Sequence, residues 1–153
     1  MTAKELLIHQ TRVRLADFIE TVRKFPQGKL DWKPAPGART ALDQIQEVAT
    51  ILDFGSMDYK ARKMDFKMEE FGAYVESRAK ITELDELIRR LEASCEKAIK
   101  DIESVPDEEL LMPFEMPWPV DFKVVDVLGY QQWNMGYHAA QITYIESLLE
   151  KPE

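Results

Sequence analysis

Apolar residues recur at helical spacing in four stretches of the chain, and each stretch predicts one α-helix. The first helix is predicted from Thr2 to Phe25 and the second from Ala41 to about Lys60, with Thr40 as its N-cap. The third is predicted to begin behind the N-cap Thr82 and to end at Ser104. The fourth, from Asp121 to Glu150, is apolar on most of its circumference, which indicates that it lies at the centre of the fold.

The stretches between these helices predict long connections rather than short turns. Residues 60–80 mix charged and apolar side chains without a clean period, which favours a crossing segment with some helix. Residues 110–120, LLMPFEMPWPV, form an apolar loop that we expect to cover the core, as a lid, or to meet a partner chain. No stretch predicts a convincing strand. The pattern therefore indicates one domain over residues 1–153, an all-α four-helix bundle with at least one long crossover connection.

Composition and charge limit the partners and the cellular location that we expect for this protein. The chain has 28 acidic and 20 basic residues and a formal net charge of −8, which argues against a nucleic-acid partner or an anionic membrane surface. No window has the length of uninterrupted apolar residues that a membrane span needs. The single cysteine and the charged N-terminus fit a reducing compartment without a signal peptide, so we expect a cytoplasmic protein.

Four polar residues of the fourth helix, Gln131, Asn134, His138 and Gln141, lie on one face at offsets of three and four. Buried polar groups must find partners, because each unpaired group costs about 1–3 kcal/mol. His138 has two interpretations: a core histidine hydrogen-bonded to a neighbouring helix, or a metal ligand together with Asn134 and Glu47 of the second helix. The residues alone leave both interpretations open.

Two parts of the chain resemble the DinB/YfiT-like family. Residues 30–37, LDWKPAPG, and the following residues 40–49, TALDQIQEVA, resemble the start of its second helix, where a histidine stands seven residues after a Ser or Thr. Residues 134–145, NMGYHAAQITYI, resemble its His-x-x-x-His-x-Gly-Gln signature. The resemblance implies an up-down-down-up four-helix bundle, often a homodimer, that holds nickel or zinc on three histidines. Characterised members are mostly transferases or isomerases that use a low-molecular-weight thiol.

In this sequence, the three ligand positions of the family correspond to Glu47, Asn134 and His138, of which one is a histidine. A carboxylate and an amide in place of two imidazoles should weaken nickel or zinc binding, favour a harder ion such as manganese, or abolish binding. Gln141 keeps the glutamine of the signature, and with Tyr137 it is a candidate for contacting a cofactor in the cleft.

Two functional hypotheses follow. The first is an enzyme, or a former enzyme, with a degenerate divalent-metal site that acts on a small electrophile, with a thiol as a possible co-substrate. The second is a metal-free bundle that binds a small ligand or a protein, in which Glu47, Asn134, His138 and Gln141 form a structural polar network. The sequence does not decide whether the chain is an enzyme.

Overall fold

The computed structural model describes residues 1–149, and most of them are helical. The helices are α1 Ala3–Lys24, α2 Ala41–Thr50, α3 Met68–Arg78, α4 Leu84–Ser104, α5 Val124–Leu128 and α6 Tyr130–Leu148. Helices α1 and α2 each pack against both α4 and α6, so these four form the bundle. The predicted all-α four-helix bundle is confirmed.

Hydrogen bonds from side chains explain where two of the bundle helices begin. The Thr2 hydroxyl accepts a hydrogen bond from the Glu5 amide, and the Glu5 carboxylate accepts one from the Thr2 amide, which together form a capping box. The Thr40 hydroxyl accepts from the Asp43 amide at 3.0 Å, which confirms the predicted N-cap of α2. The predicted cap Thr82 is wrong, because α4 begins behind Glu83, which makes no capping hydrogen bond with its side chain.

Helix α2 is shorter than predicted: it ends at Thr50 rather than near Lys60. A 3-10 turn over Ile51–Asp53 follows, and the chain then reverses at Gly55, whose φ of +75° favours glycine. Beyond it, β1 (Ser56–Asp58) pairs antiparallel with β2 (Lys63–Asp65). The expectation of no strands was therefore wrong. In each of these strands one half-buried methionine stands between two exposed residues, a pattern too short to be recognised in the sequence.

The fourth predicted helix is in fact two helices behind a strand. Strand β4 (Phe122–Lys123) pairs antiparallel with β3 (Pro113–Phe114), α5 follows directly, and the helix breaks at Gly129 before α6. Glycine has the lowest helix propensity apart from proline, which favours a break at Gly129, whereas α6 continues through its own glycine, Gly136. The predicted start at Asp121 is therefore wrong, and the predicted end at Glu150 lies outside the described residues.

Two apolar clusters form the core. The larger lies between the four bundle helices and includes Val48, Leu91 and Ile142. The smaller lies where α4 ends and α5 begins, and it includes Ile102 and the loop residue Phe114, so part of the 110–120 loop covers the core as predicted. Within residues 1–149, no helix has both the length and the hydrophobicity that crossing a membrane requires.

Candidate functional site

The structure brings together two of the three predicted metal ligands. Glu47 lies on α2 and His138 on α6, and His138 Nε2 is 3.3 Å from Glu47 Oε1. The second ring nitrogen, Nδ1, lies 2.8 Å from Oε1 of Gln44, one turn earlier on α2. The His138 side chain is almost fully buried, whereas Glu47 is partly accessible. Both ring nitrogens therefore face oxygen acceptors on the neighbouring helix.

The third predicted ligand, Asn134, does not join this pair. It is buried, and its Nδ2 has no hydrogen-bond partner. Within the described part of the chain, no hydrogen bond connects Asn134 to Glu47 or to His138. The structure therefore places Asn134 one turn from His138 on α6 but outside the hydrogen-bonded group.

The two predicted cofactor-contacting residues also lie outside that group. Tyr137 is about half exposed, at 49%, and its ring stacks on Trp133 with 5.2 Å between the centroids. The same ring meets the edge of His138 at 5.2 Å. Gln141 is half-buried. Tyr137 is thus placed on the surface beside His138, where it could contact a molecule that approaches this side of α6.

Two arginines that were not predicted as site residues, Arg39 and Arg78, complete the site. The Arg39 guanidinium forms an ion pair with Glu47 Oε2 at 2.7 Å and also pairs with the Asp43 carboxylate. Arg78, at the end of α3, lies 3.4 Å from Glu47 Oε2 and 3.0 Å from Asp43 Oδ1. We call Arg39, Asp43, Glu47, Arg78 and His138 the charged cluster. Arg39, Asp43 and Glu47 stand four residues apart, and this helical spacing could have indicated from the sequence that the three side chains lie close together.

The charged cluster keeps Glu47 ionised. Hydrogen bonding to His138 and the positive charge of Arg39 lower the pKa of Glu47 from 4.5 to about 2, although burial acts in the opposite direction. Arg78 is buried, and its guanidinium also lies 5.3 Å from the centroid of the Tyr74 ring. A buried arginine needs paired carboxylates, and Asp43 and Glu47 supply them.

The cluster does not fit a divalent metal ion. Glu47 Oε2 already forms ion pairs with two guanidinium groups, at 2.7 Å from Arg39 and 3.4 Å from Arg78. A cation beside this carboxylate would also be repelled by Arg39 and Arg78. Among residues 1–149, no group of three His, Cys, Asp or Glu side chains is arranged to hold a metal ion.

A second feature, which the sequence analysis missed, is an apolar cavity of about 580 Å³. Its walls come from the start of α1, the turn after α2, both hairpins, α5 and the first turn of α6. The aromatic residues of the wall are Phe54, Phe66, Trp118, Phe122, Tyr130 and Trp133, and the methionines are Met57, Met64 and Met116. Side chains of the charged cluster do not line it. The enclosing hairpins were not predicted, so the cavity could not be either.

Comparison with known proteins identifies the fold. A family model described as the DinB superfamily matches residues 8–142. The structure is similar to the crystal structure of the colibactin self-resistance protein ClbS in complex with a double-stranded DNA, with a TM-score of 0.69, 16% identity, and coverage of 96% of this chain and 97% of that one. It is also similar to a protein from Streptococcus pneumoniae, with a TM-score of 0.63, 17% identity and coverage of 96% and 92%. No curated protein matches the chain.

The similarity to ClbS corrects one expectation. From the net charge of −8 we expected no nucleic-acid partner, yet a protein of similar fold is seen in complex with double-stranded DNA. The expectation was wrong because net charge describes the whole molecule, whereas contacts with phosphates depend on the local arrangement of lysines and arginines.

The pKa of Glu47 yields a prediction about stability. Because the folded pKa lies below the ordinary value, ionised Glu47 stabilises the fold above about pH 4.5, and this contribution is lost as the pH falls towards about 2. We expect Glu47→Gln to lower the free energy of unfolding by about 1–3 kcal/mol at pH 7, because Arg78 loses a buried partner. Urea unfolding at pH 7 and pH 3 should show a smaller difference between the two proteins at pH 3.

Glu146→Gln is the matched control, because Glu146 is a half-buried glutamate on α6 outside the charged cluster. Its effect should be small at both pH values. A Glu47→Gln effect that is equally large at pH 7 and pH 3 would contradict the assignment of the ionised carboxylate as the stabilising form.

Proposed function

This chain belongs to the DinB superfamily, and we propose that it is a member that binds an apolar small molecule without a metal ion. The observation that carries the proposal is the cavity of about 580 Å³. Small-molecule sites in proteins typically have volumes of about 300–1,000 Å³, mostly apolar walls and a few polar groups. The cavity has these properties. Its polar lining groups include Asp126, Tyr130 and Gln132.

The exposure of two tryptophans also supports a binding role. Trp118 and Trp133 both line the cavity, and the two residues are 40% and 57% exposed. Exposed apolar surface of this kind marks ligand-binding and interaction sites. A ligand that binds there would remove apolar surface of both tryptophans from water, which stabilises a complex by roughly 25 cal/mol per Å² before the costs of association.

In this proposal the charged cluster has a structural role. It joins α2 to α3 through Arg78, and α2 to α6 through His138. Its guanidinium groups supply the positive charge that Glu47 needs. The metal-dependent thiol transferase or isomerase activity that the family resemblance implies would require a metal ion at this cluster, and the arrangement of its donors does not support one.

The metal content of the purified protein distinguishes the metal-dependent enzyme from the metal-free binding protein. We expect protein purified without a histidine tag, and then offered nickel, zinc and manganese, to hold no stoichiometric ion by mass spectrometry. His138→Ala should leave this result unchanged and lower the free energy of unfolding by about 1–3 kcal/mol, because Gln44 and Glu47 lose a partner.

His9→Ala is the control for this experiment, because His9 is exposed on α1. About one ion per chain, retained by His9→Ala and absent from His138→Ala, would contradict the proposal and support the metalloenzyme hypothesis.

Ligand binding tests the cavity directly. We expect naphthalene, an uncharged apolar probe, to raise the unfolding temperature of the protein, since a ligand that binds only the folded state stabilises it. Val125→Trp places a large side chain in the cavity wall and should weaken binding by roughly tenfold or more. Val13→Trp, on the exposed face of α1, should have no effect on binding. No shift with naphthalene or with saturated hydrocarbons of similar size would contradict the proposal.

A nucleic-acid partner is the second candidate, and the structural similarity to ClbS in complex with double-stranded DNA favours it. If this chain binds DNA through phosphate contacts, the affinity for a labelled duplex should fall steeply between about 50 and 200 mM salt. Fluorescence anisotropy measures this dependence. The absence of binding at the lower salt concentration would remove this candidate and would leave the cavity proposal untouched. The homodimer and the cytoplasmic location stay predictions.

A further inference from the structure

Five of the six aromatic residues of the cavity wall form two separate sets. Phe54, Phe66 and Trp118 come from the segments outside the bundle and contact each other edge to face, with centroid distances of 4.9 Å for Phe54–Phe66 and 5.7 Å for Phe66–Trp118. Tyr130 and Trp133 come from α6 and contact each other at 5.7 Å. We call these the outer set and the helix set.

Within residues 1–149, no ring of the outer set is in aromatic contact with a ring of the helix set, although both sets line the same cavity. In the described part of the chain, the two sets therefore line the same cavity without contacting each other. Aromatic rings favour offset-stacked or edge-to-face partners, and no such contact joins the two sets among the described residues. A flat ring in the cavity would supply them to both sets.

The charge of the wall restricts the ligand further. Among the described residues that line the cavity, Asp126 has the only charged side chain, and its carboxylate accepts a hydrogen bond from the Lys123 amide. No lysine or arginine side chain lies in this part of the wall. The faces of aromatic rings carry partial negative charge and attract cations. An anionic ligand would thus meet a carboxylate and electron-rich rings without a positive partner.

From these observations we propose that the cavity takes a flat aromatic molecule that is uncharged or cationic and that inserts between the outer set and the helix set. This inference rests on the proposed function, because it specifies the ligand class of the same cavity. It goes beyond apolar binding by predicting discrimination against saturated rings and against anions.

Intrinsic fluorescence tests the inference, because two of the three tryptophans of the chain line the cavity. Trp32 packs against the bundle core, so Trp32→Phe leaves Trp118 and Trp133 as the reporters. The probes are naphthalene, 2-naphthylmethylammonium, naphthalene-2-carboxylate and the saturated ring decahydronaphthalene. Unfolding temperature provides a second readout that does not depend on ring absorption.

We expect naphthalene and 2-naphthylmethylammonium to quench the fluorescence and to bind roughly tenfold or more tightly than the carboxylate. Decahydronaphthalene should bind more weakly than naphthalene in the thermal measurement. Trp133→Leu should weaken binding of the aromatic probes. Tyr144→Leu is the matched control, since Tyr144 is an exposed aromatic residue of the same helix outside the cavity wall.

The outcomes separate this inference from the proposed function. Equal binding of decahydronaphthalene and naphthalene, or equal or tighter binding of the carboxylate, would overturn the inference and leave an apolar ligand site in place. Failure of all four probes to bind would overturn both the inference and the proposed function.

Discussion

One ionised carboxylate, Glu47, links three helices of the fold. Glu47 of α2 contacts His138 of α6, Arg39 ahead of α2 and Arg78 of α3. A carboxylate in such a position needs positive charge nearby, because desolvation without compensation is expensive. Here the protein itself supplies that charge through guanidinium groups. The same groups compete with any divalent ion for the carboxylate oxygens. The two guanidinium groups therefore both stabilise ionised Glu47 and make the cluster a poor site for a metal ion.

The charged cluster also bears on the cavity through α3. Arg78 fixes the end of α3 against α2, and one turn earlier the Tyr74 hydroxyl hydrogen-bonds to Thr50 at 3.0 Å. The Tyr74 ring stacks on Phe54, with 4.8 Å between the centroids, and Phe54 lines the cavity. A continuous series of contacts thus runs from the carboxylate of Glu47 to the aromatic wall. The cluster does not touch the ligand space, but it positions one of its walls.

The helices of the bundle could be predicted from the sequence because each has a long apolar stripe, and the Thr40 cap could be predicted from its position. The meeting of Glu47 and His138 could also be proposed, since both are polar residues on core helices. Arg78 could not be assigned to the site, because nothing local indicates that a charged residue at the end of α3 reaches α2. The hairpins escaped prediction because strands of two or three residues have no readable period. Net charge was a poor guide to a nucleic-acid partner because it is a sum over the whole chain.

A double-mutant cycle of Glu47→Gln and Arg78→Met, measured by equilibrium unfolding with and without a chelator, tests the central claim most directly. If Arg78 is one of the two cations that stabilise ionised Glu47, the two changes should couple by about 0.5–3 kcal/mol, and the chelator should leave both the coupling and the stability of the unmodified protein unchanged. Additive effects of the two changes, or destabilisation of the unmodified protein by the chelator, would contradict the account.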